Sequence, residues 1–336
     1  MAHIGERIRL ARTRARLSLE ELASKMNVTK QAISKYETGK MAPSSATLLE
    51  LSAGLGVTLD FLLRPMDVQF EQLKFRKLSK LPAKDRKAIE ADVQDYLERL
   101  LLLERIVYGD DNCPPFSGIR HLPVTALGDA EVAANRCREV LKLGIDPIAN
   151  LTSVLDMWCI RVVPALAVQG FDAVSTWLDQ DIAVIAVNSS EDIPGDRQRF
   201  SMAHELGHLV IGASPAVDEE KACNRFAEGF LFPREAVLLE LGKSRTRLSL
   251  EELHRLKQLY GVSMQTVVFR ALHCGVINEA TARGLHIRLS QSKVGKAEPF
   301  AGYPRERSEL GRLDRLVDIA VAEQLITVGR AMEFRA

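Results

Sequence analysis

The chain has 336 residues, of which 46% are hydrophobic and 26% are charged, and its formal net charge at pH 7 is +1. These values exclude a disordered chain and a uniformly basic one, and the length predicts two or three domains. Residues 1–65 nevertheless carry ten Lys and Arg against six Asp and Glu, an excess that is compatible with a surface facing phosphates.

The cysteines and the N-terminus indicate the compartment. The five cysteines are odd in number and widely spaced, without a Cys-x-x-Cys pair. This usage favours buried thiols in a reducing environment over a disulfide framework. The N-terminal segment lacks the apolar core of a signal peptide, and no apolar run approaches the length that spans a bilayer. We therefore expect a cytoplasmic protein that does not bind membranes.

The first 66 residues carry the signals of a small helical domain. Ser18 and Glu21 form a capping box, and Thr29 caps the helix that follows a tight turn. Periodicity, caps and turn residues together predict five short helices, at 4–15, 19–26, 30–36, 46–55 and 59–63. Two short helices across a tight turn predict a helix-turn-helix domain.

The string from Leu17 to Leu63 resembles the XRE (Cro/repressor-type) family of DNA-binding domains. The matching positions are Ala23, Val28, Ile33, Glu37, Gly39 and Pro43. The resemblance implies that the second short helix enters the major groove of operator DNA. The candidate contacts are Lys30, Gln31, Ser34, Lys35 and Lys40.

Among these candidates, Gln31 is the expected base reader, because a carboxamide can bond bidentately to adenine. Lys30, Lys35 and Lys40 are expected to contact phosphates of double-stranded DNA. The alternative is a helix-turn-helix that is kept only to bind another protein.

A long amphipathic helix is predicted at 84–107, inside a helical linker at 67–120. Its apolar stripe consists of Ile89, Val93, Leu97, Leu100 and Leu101. Three interpretations are open: a strut between domains, a dimer seam, or core packing against the next domain. Binding to operator half-sites would require a second DNA-binding domain, so we expect a homodimer.

The next region mixes helices and strands. Helices are predicted at 130–143 and 148–156, and β-branched apolar segments predict strands at 159–163, 173–178 and 182–187. Turn residues separate these segments, so we expect a small antiparallel sheet. If the last strand lies at an edge of the sheet, it could accept an extended peptide.

The run from Arg199 to Val210 contains His-Glu-x-x-His. On a helix, His204 and His208 lie one turn apart and can both point a ring nitrogen at one Zn²⁺ ion, while Glu205 can reach a water molecule on that metal. Catalytic zinc usually keeps three protein ligands, so a third should lie nearby. The helical pattern at 218–233 offers carboxylates for this position.

This region resembles the ImmA/IrrE family of zinc metallopeptidases. The matches are Asn188, Phe200, Ala203–His208, Glu220, Asn224, Phe226, Ala227 and Pro233. The resemblance implies that Glu220 is the third zinc ligand and Glu205 the catalytic base, with Glu219 as the runner-up ligand.

Three further points concern the same region. Arg197 or Arg199 can fill the arginine position of the family. Cys223 is one turn from Glu220 and could be taken for a ligand, although packing as a buried thiol is favoured. Three other histidines are interpreted as structural, although one of them could donate to a tetrahedral oxyanion, namely His254, His273 or His286.

The predicted fold class is mainly α with a small β-sheet. Four regions follow: an XRE-type domain at 1–66, the linker at 67–120, a zincin-like metallopeptidase domain at 121–290 and a helical tail at 291–336. The resemblances imply a transcriptional regulator with a zinc-dependent endopeptidase domain. Its substrate would be a repressor or a partner protein, for which the same operon is the natural place of the gene, in a stress, mobile-element or toxin–antitoxin context. The alternative is a regulator or antitoxin whose peptidase fold senses or docks without cleaving.

Overall fold

A computed structural model describes residues 2–64, 81–109, 119–178, 181–292, 298–306 and 311–335 of the protein. The chain divides into two compact units. The first comprises Met1–Cys113, Val163–Phe171 and Glu309–Ala336, and the second comprises Pro114–Val162 and Asp172–Ser308. The described residues are mostly helical with small sheets, which confirms the predicted fold class.

Five short helices begin the first unit: α1 (Ala2–Arg14), α2 (Leu19–Lys25), α3 (Lys30–Glu37), α4 (Ser45–Leu55) and α5 (Leu59–Leu63). Local signals explain their starts. Ser18 and Glu21 form the predicted capping box of α2, and the Thr29 side chain accepts a hydrogen bond at the start of α3. Leu22 and Ile33 are fully buried in the core between these helices. The predicted helix-turn-helix is therefore present.

The long helix α6 (Ala83–Tyr108) belongs to this first unit. Its acidic side chains bind arginines of the preceding helices: Glu98 lies 2.5 Å from Arg7, and Asp95 lies 2.5 Å from Arg64. Four of the five predicted stripe positions are buried, namely Ile89, Val93, Leu97 and Leu100. The stripe is therefore buried within the first unit, where α6 contacts α1. None of the three interpretations predicted this: the stripe is not an exposed dimer seam, and the expectation that it packs against the next domain is wrong.

Apart from Val163–Phe171, which includes the end of β2, the middle of the chain forms the second unit. Its helices are α7 (Asp129–Val140), α8 (Leu151–Met157), α9 (Gly195–Val210), α10 (Glu219–Leu231), α11 (Arg234–Leu241), α12 (Leu250–Tyr260), α13 (Met264–His273) and α14 (Glu279–Gln291). The strands of this part of the chain are β1 (Leu122–Val124), β2 (Arg161–Ala165), β3 (Ala173–Leu178), β4 (Ile182–Asn188) and β5 (Ile211–Ala213). One continuous apolar core includes residues of α7, α9, α10 and β4.

The main sheet has the order β2-β4-β3. β3 and β4 are antiparallel, with Ala173 opposite Val187 and Leu178 opposite Ile182. β4 is thus the central strand, as its nearly continuous burial also indicates, and β3 lies at the edge. The idea that a peptide could add to the last strand is wrong for β4, because both of its sides are paired.

A second sheet was not foreseen from the sequence. β1 and β5 pair in parallel, with Leu122 opposite Ile211 and Val124 opposite Ala213. Each strand has only three residues, too few to show a period of two in the sequence.

Two C-terminal helices, α15 (Arg312–Ala322) and α16 (Val328–Arg335), belong to the first unit. They bury apolar side chains together with α6, including Leu103, Leu316 and Phe334. The sequence assigned 67–120 to a linker and 291–336 to a tail. In the structure, α6 of the predicted linker and α15 and α16 of the predicted tail lie in the first unit, whereas residues 298–306 lie in the second. Residues 65–80, 110–118 and 307–310 lie outside the described residues.

The cysteines follow the prediction in part. Cys137, Cys223 and Cys274 are buried thiols. Cys159 takes part in a disulfide bond, so the expectation of a thiol is wrong at this position. Cys113 lies outside the described residues. No described helix combines the length and hydropathy that crossing a bilayer requires.

Candidate metal centre and nucleic-acid interface

The His-Glu-x-x-His segment forms the C-terminal half of α9, and Arg199 anchors this helix. Its side chain is fully buried; Nη2 donates to the backbone oxygen of Ile148 at 2.7 Å, and Nη1 binds the carboxylate of Glu306. Arg197, by contrast, is exposed and pairs with Asp172. Of the two arginines left open by the sequence, Arg199 is therefore the one that holds the helix.

α9 and α10 cross at close range. A Cβ at Gly207 would lie 3.3 Å from the backbone and side chain of Cys223. The absence of a side chain at Gly207 therefore lets α10 approach the histidines. Cys223 is fully buried at this crossing, which supports its interpretation as a packing residue.

The side chains of α9 and α10 present three donor groups to one point. The Nε2 atoms of His204 and His208 are 3.2 Å apart. The carboxylate of Glu220 has one oxygen 3.4 Å from Nε2 of His204 and the other 3.7 Å from Nε2 of His208. Two donors about 2.1 Å from a tetrahedral zinc ion are separated by about 3.4 Å. The three donor groups therefore fit zinc.

The other ring nitrogens also have partners on α10. Nδ1 of His204 lies 2.9 Å from the side-chain oxygen of Asn224, and Nδ1 of His208 lies 3.0 Å from a carboxylate oxygen of Glu219. Both partners can accept a hydrogen bond, so with a proton on Nδ1 each imidazole would leave its Nε2 lone pair for a metal. The two neighbouring acids thus have different contacts: Glu220 faces the Nε2 atoms of both histidines, and Glu219 contacts Nδ1 of His208.

Glu205 lies beside these groups and is almost fully buried. One carboxylate oxygen of Glu205 and one ring nitrogen each of His204 and His208 lie within 4.8 Å of one another. Oγ of Ser175 on β3 donates a hydrogen bond to Glu205 at 2.7 Å. One carboxylate oxygen is thereby held by the strand.

One carboxyl group farther along α10 has a strongly shifted pKa. Burial raises the pKa of Glu228 to about 7, and Arg270 and Arg225 oppose this rise. Nδ1 of His273 lies 2.8 Å from the Glu228 carboxylate. The contact of His273 with Glu228 agrees with the interpretation of His273 as a structural residue.

The nucleic-acid interface predicted on α3 presents the expected side chains. Lys30, Gln31 and Lys35 are exposed, as is Lys40 in the following turn, and Ser34 is partly exposed. Lys30 pairs with Glu20 at 2.8 Å, but both side chains are more than half exposed, so this ion pair is weak and easily exchanged for a phosphate.

The position of α3 is set from the opposite side. The carboxylate of Glu37 accepts two hydrogen bonds from Arg12 of α1, at 2.5 and 2.9 Å. Gly5 permits the close approach of the two helices, because a Cβ there would lie 2.5 Å from the backbone oxygen of Tyr36. The exposed side chains of α3 are thus held in position by contacts that Tyr36 and Glu37 make on the other side of the helix.

Sequence reasoning missed the role of two residues. Ser175 is thirty positions before Glu205, and a serine in a strand carries no signal of such a contact. Asn224 enters the sequence analysis only as a position that matches the family. Its spacing of four from Glu220 places both residues on one face of α10, and this spacing is the signal that could have indicated its contact with the metal centre.

Two families match parts of the chain. Residues 8–62 match the family described as Helix-turn-helix, and residues 163–272 match the IrrE N-terminal-like domain of a peptidase family. The matched ranges contain the recognition helix and the metal centre, respectively.

Two curated relatives are similar over a short segment. An SPbeta prophage-derived uncharacterized HTH-type transcriptional regulator, YonR, of Bacillus subtilis (strain 168) is 42% identical over 67 residues, which are 20% of this chain and 62% of the relative. An uncharacterized transcriptional regulator in the ATPase CF(0) region of Rhodospirillum rubrum is 38% identical over 60 residues, 18% of this chain and 56% of the relative. The chain thus covers about three fifths of the length of these relatives.

Proposed function

The chain joins an XRE-type helix-turn-helix domain to a peptidase domain of the IrrE/ImmA type, and on this premise we propose that it is a DNA-binding transcriptional regulator with a zinc-dependent endopeptidase activity. The observation that carries the peptidase half is the convergence of His204, His208 and Glu220 at separations of 3.2 to 3.7 Å, with Glu205 beside them. Its substrate is a protein partner, and its site of action is the cytoplasm.

The residues of the centre have distinct tasks in this proposal. His204, His208 and Glu220 would hold a zinc ion, which would supply polarisation of a peptide carbonyl and a lowered pKa for the attacking water. Glu205 accepts the proton of the attacking water and passes it to the leaving amine. Ser175 keeps the Glu205 carboxylate turned toward that water, through the hydrogen bond of 2.7 Å.

The edge of β3 is the place for the peptide. β3 pairs with β4 on one side and is the terminal strand of its sheet. An extended peptide can add to such an edge through backbone hydrogen bonds. Because Ser175 of β3 contacts Glu205, a peptide bound along this strand passes next to the catalytic carboxylate.

The test compares the wild type with Glu205→Gln. Both proteins are loaded with zinc, and their metal content is measured. Each is then incubated with a library of peptides prepared from a bacterial proteome, and new termini are identified by mass spectrometry. We expect equal zinc content and cleavage by the wild type alone. If both proteins bind zinc and neither cleaves, the peptidase proposal is contradicted, and the sensor or docking alternative gains support.

The DNA-binding half is tested by selection from random double-stranded oligonucleotides. We expect the wild type and Glu205→Gln to select the same sequence, since the peptidase centre and α3 lie in different units. Gln31→Ala should relax the preference at one adenine, whereas Lys35→Ala should weaken binding to all sequences. Failure to enrich any sequence would contradict operator binding.

A further inference from the structure

Arg120 and Trp177 form a stacked pair in the second unit. The guanidinium carbon of Arg120, two residues before β1, lies 3.4 Å from the centre of the Trp177 ring on β3. This is van der Waals contact with the ring face, the geometry of a cation–π interaction. The loop before β1 is thereby fastened to the edge strand of the main sheet.

The pair lies on the side of β3 that carries the peptidase centre. Side chains two positions apart on a strand share a face, so Trp177 has the same orientation as Ser175. Ser175 contacts Glu205 directly. Two residues of a strand span about 7 Å. Trp177, with Arg120 stacked on it, therefore follows by two residues of strand the serine that contacts Glu205.

No residue within the described ranges is seen to neutralise the positive charge of Arg120. Among the described residues, Arg120 makes no hydrogen bond or ion pair beside its contact with Trp177. Other arginines of this unit differ: Arg138 donates three hydrogen bonds to backbone oxygens, and Arg270 binds Glu131. Arg120 is also partly exposed.

Stacking prepares such a guanidinium for a carboxylate. The N–H groups lie in the plane of the guanidinium, so a ring against its face does not block them. The ring also reduces the number of orientations that the side chain can adopt, and less entropy is lost when a ligand binds. The site thus offers an ordered cation with open donors at the edge where a peptide would lie.

We propose that Arg120, held against Trp177, binds an acidic side chain of the peptide that lies along β3, and that it thereby selects substrates with Asp or Glu close to the cleaved bond. This inference rests on the proposed function, because it names the substrate class of the same centre. It adds a specificity residue that the sequence did not indicate.

The experiment uses a positional-scanning library of hexapeptides in which one position at a time is Asp, Asn or Lys. Cleavage is measured with the zinc-loaded wild type, and retention is measured with zinc-loaded Glu205→Gln, which keeps peptides intact. At one position we expect a preference of about threefold to tenfold for Asp over Asn in both measurements, the range of a partly exposed ion pair. The preference should fall as the salt concentration rises.

Substitutions assign this preference to the stacked pair. Arg120→Ala should abolish it, and Arg120→Glu should replace it with a preference for Lys. Trp177→Phe should retain most of it, since a phenyl ring can still stack, whereas Trp177→Ala should weaken it. Arg136→Ala is the matched control, because Arg136 is an exposed arginine of the same unit that pairs with Glu139.

The outcomes separate this inference from the function on which it rests. Cleavage without any charge preference, or an Asp preference that persists in Arg120→Glu, overturns the role of Arg120 and leaves the peptidase proposal standing. A zinc-loaded protein that neither cleaves nor retains any peptide overturns both.

Discussion

The two neighbouring acids at the start of α10 provide a sharp test of the metal centre. Oxygens of Glu220 lie 3.4 and 3.7 Å from the Nε2 atoms of the two histidines, whereas an oxygen of Glu219 lies 3.0 Å from Nδ1 of His208. We therefore expect alanine at the two positions to weaken zinc binding by different amounts. In the proposed centre, Glu220→Ala would remove a charged ligand, whereas Glu219→Ala would remove only the acceptor that orients a ligand.

The structure also sets the expected magnitudes. Loss of the partner that orients a ligating histidine typically costs 10- to 100-fold in metal affinity. Since the side chain of Glu219 is 58% exposed, we expect about tenfold for Glu219→Ala, or about 1.4 kcal/mol. Glu220→Ala leaves two neutral imidazoles and should weaken binding by at least about a hundredfold, or about 2.8 kcal/mol.

Zinc affinity is measured by competition with a coloured chelator of known affinity. The two variants control for each other, because their side chains are 58% and 60% exposed and both occupy the first turn of α10. In the presence of a strong chelator, their free energies of unfolding should agree within about 0.5 kcal/mol. If Glu219→Ala weakens zinc binding more than Glu220→Ala, the assignment of the third ligand is refuted.

Two predictions concern stability. Gly5→Ala should lower the free energy of unfolding by about 1–3 kcal/mol, since its Cβ would lie 2.5 Å from the backbone oxygen of Tyr36. Gly54→Ala should raise the free energy of unfolding by about 0.5–1 kcal/mol, because the nearest neighbouring atom, on Met26, is 3.8 Å away. An equal loss of stability in both variants would contradict the close contact at Gly5. Burial raises the pKa of Glu228 from 4.5 to about 7, so the folded state holds this proton more tightly than the unfolded chain. Its contribution to stability is complete below about pH 4.5 and is lost as the pH rises to 7, by about 3 kcal/mol at most. The free energy of unfolding, measured with denaturant between pH 5 and 8 in the presence of chelator, should decline in this way in the wild type and in the exposed control Glu139→Gln. Glu228→Gln should show a flatter pH profile. Parallel profiles in all three proteins would contradict the role of Glu228.

Much of the secondary structure follows from the local sequence. The Ser18–Glu21 capping box and the Thr29 cap involve residues within three positions of each other, so they act in any fold that contains these helices. The same holds for the spacing of four between His204 and His208, which places both imidazoles on one face of α9 before any tertiary contact forms. The elements and the histidine pair could therefore be predicted.

The third ligand depends on packing. Glu219 and Glu220 are adjacent, and neighbouring residues on a helix point about 100° apart, so either could have faced the histidines. The choice comes from the crossing of α9 and α10 at Gly207 and Cys223, which sets the rotation of α10. Only a family resemblance could favour Glu220 before the structure placed it.

The helices, the helix-turn-helix and the pair of imidazoles proposed to bind zinc could all be predicted from local sequence, because each depends on residues a few positions apart. Three features arise only when the chain folds: the internal position of α6 in its unit, the edge position of β3 rather than β4, and the contact of Ser175 with Glu205. The stacking of Arg120 on Trp177 belongs to the same group. These contacts join segments that are tens of residues apart, and their geometry is set by how the apolar core packs as a whole, which no local pattern records.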